Sequence, residues 1–119
     1  VRRGEVYDAC LDPTEGSEQA RTRPVIIVSR DAINSASQVV LVVPCTNYRL
    51  GRRIYPSQVL IHAPDGGLDR DSVAMAEQVR ALAKTRFLYL RGMLSPLSLQ
   101  QLDQALLIAL DLPGQVEFE

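Results

Sequence analysis

The chain has 119 residues, 46% of them hydrophobic and 23% charged, with a formal net charge of −1. That balance suits one globular domain over residues 1–119 and excludes a disordered chain. No apolar run approaches the ~18 residues a membrane span needs, and Val1-Arg2-Arg3-Gly4-Glu5 leads straight into a strand-like segment rather than a signal peptide, so a cytoplasmic protein with no membrane partner is expected.

In chain order, Glu5–Leu11 alternates as a half-buried strand does. Asp12-Pro13-Thr14-Glu15-Gly16-Ser17 has loop chemistry. Pro24–Ser29 is β-branched and continuous, the pattern of a strand buried on both faces. Arg30–Ala36 is polar with small residues and fits one short helical turn. Val39–Val43 reads as a second buried strand, stopped by Pro44, and Tyr48–Arg53 as a basic loop. Gln58–His62 is another strand, closed by the turn Pro64-Asp65-Gly66-Gly67. Ser72–Met75 begins a further strand, Ala76–Lys84 is ambiguous between strand and short helix, and Phe87–Leu90 is a short closing strand. Ser95 then offers an N-cap with Pro96 at the first helical position. Leu99, Leu102, Leu106 and Leu110 repeat at helical spacing until Pro113-Gly114. Short strands plus one terminal helix predict a mainly β, α+β fold: a small β-barrel or curled sheet with a C-terminal amphipathic helix.

Charge is unevenly spread. Residues 20–53 hold Arg21, Arg23, Arg30, Arg49, Arg52 and Arg53 against Asp31 alone, a net +5, whereas residues 92–119 carry four carboxylates and no base. A phosphate chain prefers the first region. Twelve of the thirteen basic residues are Arg, which suits bidentate phosphate contact and fits a genome-wide composition bias equally well.

Much chemistry is absent. His62 is the one histidine, so no two-histidine acid–base pair exists, and its place at a strand end suits a structural or exposed residue. Cys10 and Cys45 have no metal-ligand spacing and read as buried, reduced thiols. No His, Cys and carboxylate cluster suggests a metal, and no Gly-rich phosphate loop follows a strand, so neither metal nor cofactor is expected. Asp65-Gly66-Gly67-Leu68-Asp69-Arg70-Asp71 lacks calcium-loop spacing and reads as a solvated turn. Two spots stand out: the polar loop Gly16–Arg23, which delivers Arg23 to the mouth of a buried strand with Pro24 fixing its backbone, and Val43-Pro44-Cys45-Thr46-Asn47 at the end of another. Strand ends are rigid platforms for a site, and polar loops also occur without one.

Those segments carry a family resemblance. Asp12–Gln19 followed by Thr22-Arg23-Pro24-Val25 resembles the opening signature of the MazF/PemK toxins. Val43-Pro44-Cys45-Thr46 is similar to the second signature, Ser72–Arg80 to the third, and Leu94-Ser95-Pro96 with its amphipathic helix to the close. Order and spacing hold from about Arg3 to Leu112, with a departure at Glu77, where many relatives carry Asp. The resemblance implies an SH3-like barrel, a homodimer, a MazE-like acidic antitoxin as partner, and a ribonuclease that cuts short sequences in single-stranded mRNA. It places the catalytic pair on Arg23 and Thr46, and Glu18 and Gln19 match residues implicated in substrate handling.

The family's reaction is attack by the RNA 2′-hydroxyl on the adjacent phosphorus, leaving a 2′,3′-cyclic phosphate and a 5′-hydroxyl. The substrate supplies the nucleophile, so the protein must orient groups and stabilise charge. The Arg23 fork suits the phosphorane oxygens. Guanidinium groups hold their proton, so charge stabilisation ranks before proton transfer. Thr46 can donate to a non-bridging oxygen. Glu18 is the candidate base nearest in sequence, and a surface carboxylate reads the same. Tyr48 with Arg49, Arg52 and Arg53 has the chemistry to stack bases and hold phosphates, as well as that of a solvated basic loop. Ser17, Gln19, Arg21, Asn47 and Gln78 complete the candidate substrate-binding set. Two competing functions share these features: a toxin of the same fold that poisons DNA gyrase by protein contact, and a nucleic-acid-binding module without catalysis.

Overall fold

A computed structural model describes residues 1–13, 15–16 and 21–114. Seven strands form in the order β1 (Glu5–Cys10), β2 (Thr22–Ile27), β3 (Val39–Asn47), β4 (Gln58–Ile61), β5 (Ser72–Met75), β6 (Arg80–Ala83) and β7 (Phe87–Met93). Helix α1 (Asp31–Ala36) precedes β3, and α2 (Pro96–Ala109) follows β7. Every pairing is antiparallel, in the sheet order β4-β5-β3-β2-β1-β7. β3 is the hub. One of its edges pairs with β2, and the other pairs first with β6 over Val39–Val42 and then with β5 over Cys45–Asn47. The expected mainly β, α+β fold is therefore present, but hydrogen bonding among the described residues does not close it into a barrel: β4 and β7 end the strand path.

The continuous apolar run of β2 is explained by burial on both faces. Ile26 enters one core cluster with Val6, Val43, Cys45, Val59, Ile61 and, from α2, Leu102 and Ala105. Its neighbours Val25 and Ile27 enter a second with Ala9, Leu11, Val40, Val42 and Leu82. The alternation of a strand divides the same run between the two. β3 obeys the same rule only in part. Val40, Val42, Val43 and Cys45 are buried, but Val39 and Leu41 are 45% and 43% exposed, so the first half of this strand is covered on one face only. Burial pushes the Cys45 thiol up to about 12, while Cys10 is only half-buried.

Pro44 does not stop β3, as its sequence suggested; the strand runs on to Asn47. Pro44 pairs with Val25 on the β2 side and falls in the step where β3 leaves β6 and takes up β5. No partner residue on that edge needs the missing N–H. The ambiguous stretch after Met75 resolves into a 3-10 turn at Ala76–Gln78, strand β6, and a second 3-10 turn at Lys84–Arg86. β7 is longer than expected, reaching Met93.

Helix α2 begins where its sequence signals place it: Ser95 caps it, accepting from the Ser98 N–H at 3.2 Å, with Pro96 in the first turn. It ends at Ala109, before Pro113-Gly114. Asp111 takes a left-handed conformation (φ 54°), and the N–H groups of Asp111 and Leu112 donate to Ile108 and Leu107 carbonyls, the Schellman pattern.

Asp65 is not a solvated turn residue. Its carboxylate accepts from the Ser95 N–H (2.8 Å), Ser95 Oγ (2.9 Å) and Ser98 Oγ (2.5 Å), tying the β4–β5 loop to the start of α2. Partial burial alone raises its pKa, but the hydrogen bonds from Ser98 and Ser95 outweigh it and hold the carboxyl below its ordinary value. A carboxyl depressed on folding stabilises above its unfolded value of about 3.9 and loses that contribution as pH falls through the lower folded value. Asp65→Asn should therefore cost about 1–2 kcal/mol at neutral pH and flatten the acid limb of a stability–pH curve below about pH 4. Urea unfolding from pH 7 to pH 2.5 measures both.

Candidate active site

The sequence singled out the ends of two core strands, and the sheet brings them together. Val25 pairs with Pro44, Ile26 with Val43 and Ile27 with Val42. Continuing that register sets Arg23 across from Thr46. Arg23 continues the row of Val25 and Ile27, and Thr46 continues the row of Val40, Val42 and Pro44, so the pleat sends both side chains to the same face. Pro24 is tolerated in this inner strand because the β3 ladder begins only at Val25; on its other side it lies opposite Asp8.

Both side chains line a cleft of about 390 Å³, with Asn47, Arg49 and Arg52 as its other walls. Among the described residues, the lining holds three guanidinium groups and no carboxylate. The Arg23 Nε is buried and has no hydrogen-bond partner among the described residues. Such a donor costs free energy unless something accepts from it, and an anionic oxygen in the cleft is the natural acceptor.

A second cleft, of about 240 Å³, adjoins the first and shares Arg23 and Asn47 with it. Asp69, Arg70, Ser72 and Arg91 also line it. Arg91 is clamped: its Nε donates to Oδ1 of buried Asp8 at 2.5 Å and its Nη1 to Asp69 Oδ2 at 3.0 Å. Those contacts, the Asp8 hydrogen bond above all, raise the Arg91 pKa beyond its ordinary value.

Other sequence candidates lie apart. Arg53 stacks over the Tyr55 ring at 4.8 Å and lines neither cleft. Tyr48 is half-buried, with its N–H donating to the Asp71 carbonyl at 2.8 Å. Arg21 is exposed, with φ 65° and its N–H donating to Asp12 Oδ1. Gln78 sits on the Ala76–Gln78 turn, its Nε2 3.7 Å from Met75 Sδ. These three also line neither cleft. Ser17, Glu18 and Gln19 lie outside the described residues. His62 is exposed as expected, with Nδ1 3.1 Å from Asp71 Oδ2. Among the described residues no three His, Cys, Asp or Glu side chains converge.

Asp69, Arg70 and Arg91 were missed because Asp69 and Arg70 read as a solvated turn, and no local pattern links Asp8 to a residue 83 positions later. The one available signal was Asp8 itself, a carboxylate in register with Val6 on an alternating strand.

Residues 2–110 match the family of PemK-like, MazF-like toxins of type II toxin–antitoxin systems. The chain belongs to that family. It is 42% identical over 117 residues to the endoribonuclease MazF9 of Mycobacterium tuberculosis (strain ATCC 25618 / H37Rv), covering 94% of this chain and 98% of that protein. A mycobacterial endoribonuclease solved in complex with its cognate antitoxin superposes with a TM-score of 0.78 at 28% identity, over 95% of this chain and 97% of that one. MazF from Deinococcus radiodurans superposes at 0.79 over 94% and 97%, and at 23% identity it speaks for the fold. The two solved structures share the fold on which the Arg23–Thr46 cleft is built.

Proposed function

We propose that this protein is the endoribonuclease of a type II toxin–antitoxin pair, an mRNA interferase, with Arg23 and Thr46 as its catalytic pair. This reading rests on the buried Arg23 Nε, which has no hydrogen-bond partner among the described residues and is set beside Thr46 in a cleft walled by Arg49 and Arg52. The 42% identical relative is an endoribonuclease, which favours this reading over a gyrase poison of the same fold.

The RNA phosphodiester enters the arginine-lined cleft. Its 2′-oxygen attacks the adjacent phosphorus and gives up its proton to a base, for which Glu18 is the candidate. The bond to the 5′-oxygen breaks, and that oxygen takes up a proton. The products are a 2′,3′-cyclic phosphate and a 5′-hydroxyl. Arg23 hydrogen-bonds the phosphorane oxygens, and its buried donor is worth more there than in water. The Thr46 hydroxyl donates to a non-bridging oxygen. Arg49 and Arg52 hold the flanking backbone, with Asn47 between the two clefts. Arg53, stacked on Tyr55, takes a lesser part than the basic loop as a whole suggested.

A MazE-like antitoxin with an acidic segment would be drawn to the same cations, and a homodimer in the cytoplasm is the working assembly. Among the described residues no helix is long and apolar enough to cross a membrane.

The test is a pair of substrates. A single-stranded RNA should be cut into discrete fragments, while the same RNA annealed to its complement should survive, because an A-form duplex holds the 2′-hydroxyl out of line. No cleavage of either, with inhibition of gyrase supercoiling instead, would support the rival.

A further inference from the structure

The two adjoining clefts differ in chemistry. Among the described residues, the first presents three guanidinium groups and no carboxylate. The second has as many guanidinium groups, from Arg23, Arg70 and Arg91, and adds the Asp69 carboxylate beside Arg70. A phosphodiester offers acceptors and no donor, so it gives the Asp69 carboxylate no partner. An acceptor next to a donor suits the edge of a base, which carries both.

Asp69 is also held in place. Arg91 Nη1 reaches both Asp69 Oδ2 (3.0 Å) and the Gly67 carbonyl (3.3 Å), while its Nε and Nη2 grip Asp8 at 2.5 and 3.2 Å. Gly67 lets the loop come this close. Its φ is +73°, and a Cβ there would lie 2.1 Å from the Arg91 carbonyl oxygen. Yet the Asp69 side chain is 80% exposed. A carboxylate has about four lone-pair sites, and Arg91 occupies one of them, so the rest face outward from a fixed position.

We propose that Asp69 and Arg70 read the base of a nucleotide flanking the scissile phosphate, a specificity role that rests on the endoribonuclease reading above. Asp69 accepts from an exocyclic amine, such as cytosine N4, adenine N6 or guanine N2. Arg70 donates to a neighbouring ring nitrogen or carbonyl. Uracil has no amine, and the one N–H on its pairing edge is flanked by two carbonyl oxygens that would face the carboxylate. Uracil is therefore the base this cleft rejects.

The experiment uses the full chain and a single-stranded RNA library randomised around the cleavage site, with products sequenced to give relative kcat/KM for each base. Wild type should disfavour uracil by about 5- to 150-fold at one position flanking the cut. Asp69→Asn, whose amide can donate to uracil carbonyls, should erase that preference at that position and preserve the others. Arg70→Gln, also at an exposed position, should alter the same position and no other. Unchanged preferences in both variants, or a uniform loss across all sequences, would overturn base reading and leave the endoribonuclease reading standing. A wild-type protein that cuts nothing in the library would overturn the reading beneath it.

Discussion

Replacing Arg23 with alanine should lower RNA cleavage by about 10²- to 10³-fold, the usual consequence of losing one donor to a transition-state oxyanion. The fold should survive. The buried Nε has no partner among the described residues, so truncation strands no acceptor of that donor among them, and the strand is held by the Val25–Pro44 ladder and by Ala9 on β1. Arg23→Lys should recover little, because an ammonium is a point charge without the planar fork that meets two phosphate oxygens at once. Single-turnover rates set beside melting temperatures separate the two effects. A folded Arg23→Ala protein with the wild-type rate would remove Arg23 from the mechanism.

Thr46→Val should cost about 10²-fold in the same assay. Valine keeps the branched shape that β3 favours and removes only the hydroxyl. Thr46 is half-buried and pairs with Val73 of β5, so the variant should melt within a few degrees of wild type. Thr46→Ser, which restores the hydroxyl, should recover most of the rate. Substrate affinity should change little in Thr46→Val, because Arg49 and Arg52 remain to hold the backbone. A loss seen in KM alone would move Thr46 from charge stabilisation to ground-state binding.

The strands and the terminal helix were legible because their signals are local. The β-branched run at Val25–Ile27 and the Ser95-Pro96 start of α2 each carry their own instruction. The place of Arg23 and Thr46 at the ends of core strands was legible too, whereas the roles proposed for them come from the family resemblance. What stayed hidden depended on partners distant in the chain. Pro44 looks like a strand stop until β3 is seen to change partners there. Asp65 looks solvated until Ser95 and Ser98 close on it. The Asp8–Arg91–Asp69 network joins two strands and a loop, and no spacing rule relates them. Barrel closure, too, depends on how far the short edge strands reach, which hydropathy does not encode.

Mapping the ends of RNA cut by the purified protein in excess EDTA tests the proposed mechanism most directly. If the substrate's own 2′-hydroxyl is the nucleophile and Arg23 carries the phosphorane charge, cleavage should continue, and every new end should be a 2′,3′-cyclic phosphate facing a 5′-hydroxyl. Cleavage that stops in EDTA and returns with magnesium, or new ends bearing a 5′-phosphate, would contradict that mechanism.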